Sequence, residues 1–215
     1  MNIIDKLFIE SLNAFKKGAI KDNEVKSIST ADELYEKAVE FAYRDAQFRT
    51  IPHHTTKFKN QNIKRIASKI KDNVELNRKH IDLIETVEDI LYEDFGTYAK
   101  EQCFGKAQKI VNMAFKYLYC LNNKSLVKID YADRDIPLDK NILDFYYTCR
   151  KKFENENNEI IINWSFIDKN QYLDIEKNLK EYIKRLEFKM TPIEAEFIIW
   201  NAAVNKFDFL FIAKK

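Results

Sequence analysis

Glycine and proline occur only three times each in 215 residues. Tight hairpins depend on these residues to reverse the chain at special backbone angles, so few sites exist for turning an antiparallel sheet. Charged residues make up 33% of the chain and hydrophobic residues 46%, with many Lys, Glu, Leu and Ile, which suit helix interiors. The expected fold is all-α: a compact bundle of about eight or nine helices in one domain over residues 1–215. Candidate lobes fall at 1–100 and 101–215, with at most one short strand or hairpin, in "IIINWSF" near Ile160.

Composition narrows the function classes. A net charge of +2 supplies no global attraction to nucleic acid, so any such surface has to be local. Cys103, Cys120 and Cys149 are odd in number and widely spaced, a poor disulfide framework that fits free thiols in a reducing cytoplasm. "MNIIDKLFIESLNAF" breaks its apolar pattern with Asp5, Lys6 and Glu10, unlike a signal peptide. No run approaches the roughly 20 apolar residues of a membrane span. A cytoplasmic protein without membrane contact is expected. His53 and His54, with His80, lack the Cys or carboxylate partners of a patterned metal site, and no nucleotide loop occurs; neither metal nor cofactor is expected.

Helix starts are marked along the chain. Ile4, Leu7, Phe8, Leu12 and Phe15 recur at helical spacing up to Gly18. Thr30 with Glu33, and Thr191 with Pro192 and Glu194, form capping-box patterns, and Asp168 is an expected N-cap. Residues 57–79 carry eight Lys or Arg against two acids, and 81–101 carry seven acids against one lysine. Opposite charge on successive segments predicts two packed helices with solvated outer faces.

The stretch richest in candidate chemistry is "CFGKAQKIVNMAFKYLYCL", residues 103–121, followed by "DRDIPLDKNILDF". Gly105 is taken to open a helix. On a wheel, Ile110, Val111, Ala114, Phe115 and Leu118 form its apolar arc, while Lys106, Lys109, Asn112 and Lys116 gather on an expected wet face. Unpaired N–H groups in a first turn after Gly105 would attract phosphate. A lysine there is a candidate Schiff-base nucleophile, and Asp139, expected to cap the helix after Pro137, is its candidate carboxylate. An ordinary N-cap role explains Asp139 as well.

The Gly-to-Lys stretch and the Pro-x-Asp helix start together resemble the helix-hairpin-helix DNA glycosylase/lyase superfamily, in spacing its archaeal 8-oxoguanine glycosylase branch. The similarity spans residues 103–146, and this chain lacks the superfamily's Gly-x-Gly hairpin. It implies an all-α fold acting on DNA, in which a lysine attacks the sugar carbon and an aspartate assists departure of the base. Lys109, with Lys106 as the alternative, matches the lysine; Asp139 of "IPLD" matches the aspartate. Gly105, Lys106, Asn112 and Lys116 would then meet DNA, Lys64, Arg65, Lys69 and Lys71 would hold its backbone, and Trp164, Tyr146 or Tyr147 would stack on the extruded base. The chain also looks like a group of bacterial proteins of about 200 residues.

Two other classes stay open. Arg49 and His54 have the spacing of HEPN-type metal-independent RNases, although Pro52 interrupts a helix there. A non-catalytic helical interaction or binding module of a bacterial or phage-related system would be marked by an exposed apolar patch, and in it Lys109 and Asp139 need not meet.

Overall fold

The computed structural model describes residues 3–46, 56–122, 125–156 and 162–205. Among them lie eight α-helices: α1 (Ile3–Ala19), α2 (Asp22–Val25), α3 (Ala31–Asp45), α4 (Thr56–Glu75), α5 (His80–Leu121), α6 (Lys140–Glu154), α7 (Lys169–Arg185) and α8 (Pro192–Asn205). Trp164–Phe166 forms a 3-10 turn, and the described residues contain no strand. The all-α expectation is met. Part of the stretch proposed as a strand, 160–161, lies outside the described residues, as do Arg49, His53 and His54.

The marked helix starts form as their side chains dictate. Thr30 accepts from the Glu33 N–H at 3.3 Å while the Glu33 carboxylate accepts from the Thr30 N–H at 3.1 Å. Asp168 and Gln171 pair in the same reciprocal way at the head of α7, and Thr191 and Glu194 at the head of α8. Each pairing satisfies donors that a first turn leaves open.

The centre differs from the sequence reading. Gly105 does not open a helix; it lies well inside α5, a single 42-residue helix about 63 Å long at 1.5 Å per residue. The acidic segment and the lysine-bearing segment are therefore one rod. It packs most closely on α3 and α4 and carries the 3-10 turn. Its second half is buried nearly all round, from Cys103 to Leu121, and its apolar residues join one core with residues of α1, α3, α4, α6, α7 and α8.

Gly105 is explained by close approach. A Cβ there would lie 2.5 Å from the Trp164 carbonyl oxygen and 2.6 Å from that of Ser165. Its cost inside a helix, about 1 kcal/mol relative to Ala, is accepted because the 3-10 turn rests directly on the α5 backbone. Gly105→Ala is therefore expected to destabilise the fold by roughly 1–3 kcal/mol through overpacking, read as a lowered Tm. An unchanged Tm would show that the turn does not rest there.

Candidate functional site

Residues 134–138 are buried but belong to no helix, so their backbone groups need partners from elsewhere. Side chains of α5 and α7 provide them. The Gln108 amide donates to the Leu138 carbonyl at 3.0 Å and accepts from the Leu138 N–H at 3.1 Å. Asn112 donates to the Ile136 carbonyl at 3.0 Å, and Glu176 accepts from the Ile136 N–H at 3.2 Å. Pro137, between them, has no N–H to satisfy. The segment runs antiparallel to α5: four helical residues rise about 6 Å and two extended residues cover about 6.6 Å, so Gln108 and Asn112 meet alternate residues.

This register brings Asp139 to Lys109. Lys109 Nζ donates to Asp139 Oδ2 at 2.8 Å. The other carboxylate oxygen accepts from the Ile142 N–H at 3.1 Å and caps α6, where the helix dipole also favours an anion. Burial pushes the Asp139 carboxyl up, but Lys109, its hydrogen bond and the Ile142 N–H outweigh it, and the group ends below its ordinary range. Asp139 is thus an anion at neutral pH. It is also the more open partner, with 20% of its side chain exposed against 6% for Lys109.

The expected wet face is buried. Lys106, Lys109, Asn112 and Lys116 are each 5% exposed or less, because α5 is surrounded on that side too. Lys106 donates to the Ala46 carbonyl at 3.0 Å and lies over the Trp164 ring at 5.4 Å; burial pushes its ammonium below the ordinary lysine range. Asn112 is fully committed inside the protein, to Ile136, Tyr172 and His80. With Gly105 in mid-helix, no first turn offers free N–H groups there. The phosphate site expected after Gly105 is absent.

Lys109 and Asp139 line a cleft of about 740 Å³, with Lys116, Glu196, Arg44, Trp164 and Trp200 among its other walls. Lys116 Nζ lies 2.5 Å from Glu196 Oε2, with both side chains 1% exposed. Three rings surround this ammonium: Phe15 at 4.0 Å, Phe197 at 4.8 Å and Trp200 at 5.4 Å. Burial holds the Glu196 carboxyl above its ordinary range despite Lys116. Two lysine–carboxylate pairs and two tryptophans thus share one concavity. The sequence reading missed Glu196, Trp200 and Arg44; the available signal was a second glutamate, Glu196, set two residues after the capping Glu194 and directly before the apolar run "FIIW".

Other candidates lie elsewhere. Lys64 is exposed and lines a separate groove with Glu33, Glu36 and Glu40. Arg65 pairs with Glu93 at 2.5 Å and Lys71 with Asp32 at 2.8 Å, while Lys69 is exposed. None of these four lines the cleft. Tyr146 is buried against Tyr147 and Tyr182. His80 is buried against Asn112, and no group of three His, Cys, Asp or Glu able to hold a metal occurs among the described residues. Burial raises the Cys120 thiol to about 12, which suppresses the reactive thiolate. No helix among the described residues is long and apolar enough to cross a membrane. No family model, curated protein or solved structure matches this chain.

Outside the cleft lining, Asp135 accepts from Tyr172 at 2.8 Å and pairs with Lys180. Burial, then the Asp135 charge, raises the Glu176 carboxyl well above its ordinary range, against the pull of Lys180. A carboxyl raised on folding stabilises the fold below its unfolded value, and that stability is lost as pH rises toward the folded value. Glutamine does not titrate. Glu176→Gln is expected to match the wild-type Tm near pH 4.5 and exceed it by several degrees at about pH 8; a constant difference across the series would contradict a protonated Glu176.

Proposed function

We propose that this protein is a DNA base-excision glycosylase/lyase, with Lys109 as nucleophile and Asp139 as its electrostatic partner. One observation carries the reading: two residues 30 positions apart meet at 2.8 Å in the wall of a cleft. The cleft falls within the usual size range of small-molecule pockets. Trp164 and Trp200 offer aromatic faces for a base taken out of its stack, and Lys21 and Lys140, also in the lining, offer positive charge to the flanking phosphates.

The chemistry follows from the pair. As the C1′–N bond breaks, its electrons leave with the base, which takes one proton from the Lys109 ammonium. The ionised Asp139 stabilises positive charge developing on the sugar. The freed Lys109 amine forms a bond to C1′. Ring opening then moves a second proton from this nitrogen to O4′, leaving a protonated imine opposite Asp139. Borohydride reduces that imine to a stable adduct.

The test is borohydride trapping on labelled duplexes carrying an abasic site or 8-oxoguanine. Wild type and Lys106→Gln are expected to form the adduct, and Lys109→Gln to lose it by at least about 100-fold, the scale of removing a covalent nucleophile. Adduct in all three would indicate unspecific lysine capture, and adduct in none would overturn the reading.

A further inference from the structure

Gln108 is itself fully buried and immediately precedes Lys109 on α5. It closes both backbone groups of Leu138, the residue immediately before Asp139. Neighbours on the helix therefore grip neighbours on the extended segment: Gln108 holds Leu138, and Lys109 holds Asp139. An amide of this length both donates and accepts in such an arrangement at every pH, whereas a carboxyl does so only while it is protonated. Neither the α6 cap nor Lys109 alone fixes the approach. The cap determines only where Asp139 sits relative to Ile142, and a lysine has four rotatable carbons with which to follow or lose a moving partner.

We infer that Gln108 is the positioning residue of the site: its two hydrogen bonds to Leu138 set the Asp139 carboxylate against Lys109 and so control the reactivity of the lysine amine toward an aldehyde. This deepens the lyase reading and rests on it for the identity of the substrate, a deoxyribose aldehyde. The coupling between Gln108 and Lys109 is measurable without DNA. Asn112 supports the same segment two residues earlier, at Ile136, but touches neither Leu138 nor Asp139 and acts at greater distance.

Formaldehyde with cyanoborohydride provides the probe, because it converts an amine to an imine and then to a methylamine that mass spectrometry assigns to a residue. Lys109 labelling is compared in wild type, Asp139→Asn, Gln108→Leu and Gln108→Glu. Without its anion, a lysine inside the cleft surrenders its proton more readily. Asp139→Asn therefore sets the scale, with an expected increase of several-fold. Gln108→Leu, which removes both hydrogen bonds, is expected to reach the same level.

Gln108→Glu guards against a Leu variant that does not fold. Its neutral acid donates and accepts as the amide does, whereas its anion repels the Leu138 carbonyl. Labelling of Lys109 relative to wild type is expected near one at pH 5.5 and to rise several-fold by about pH 8.5. Labelling of Lys116, equally buried but paired with Glu196, stays at the wild-type level; a general loss of stability as the introduced carboxyl ionises would raise both. Wild-type labelling in both Gln108 variants, beside an altered Asp139→Asn, would overturn the inference. So would a Gln108→Glu ratio independent of pH. If wild type forms no adduct with abasic DNA, the lyase reading fails while this labelling experiment still decides the role of Gln108.

Discussion

The hydrogen bonds between the buried polar side of α5 and residues 136–138 are the interaction on which the site depends. A non-helical segment inside an all-α core would normally leave its backbone groups unpaired, at a cost of about 1–3 kcal/mol each. Gln108 and Asn112 remove that cost by acting as a one-sided strand partner, and Glu176 closes the remaining N–H. The match between one helical turn and two extended residues sets the register. The register in turn sets which residue faces Lys109. A shift of one residue along the segment would put Leu138 there and leave a buried ammonium without its anion.

That arrangement is costly in stability. Lys109–Asp139 and Lys116–Glu196 are largely or wholly removed from water, and buried pairs are often no better than apolar residues of similar shape. Aromatic rings around Lys116 recover part of the lost hydration through cation–π attraction. An ordinary core would have been cheaper to build from leucine. Under the proposed lyase reading, two such pairs facing one cleft, backed by a fully buried Gln108, are the pre-organised charge that a reacting centre requires.

Local signals in the chain were readable because they act locally. Thr30, Asp168, Thr191 and Asp139 cap the helices their spacing announced, since a capping side chain needs only the next three residues. Lys109 and Asp139 were nameable from the resemblance, and the helical wheel correctly groups Lys106, Lys109, Asn112 and Lys116 on one side of α5. What a wheel omits is the neighbour. Whether a polar face meets water or other protein depends on tertiary packing, and here it meets the extended segment, α3 and α8. Gly105 misled for the same reason: it serves the carbonyls of Trp164 and Ser165, some 60 residues away in sequence. Gln108 carried no signal at all, because its role exists only once Leu138 lies beside it.

The central claim is that Lys109 and Asp139 are held together for chemistry rather than for stability. Thermal unfolding of Lys109→Met, Asp139→Asn and the double variant tests it most directly. Each single change leaves one charge of the pair uncompensated and is expected to lower stability, by roughly 3–5 kcal/mol for Asp139→Asn, which strands the more deeply buried Lys109. The double variant, with no buried charge and with Asn retaining the α6 cap, is expected to recover to wild-type Tm or above. A double variant as unstable as the sum of the singles would contradict the account and make the pair an ordinary structural bridge.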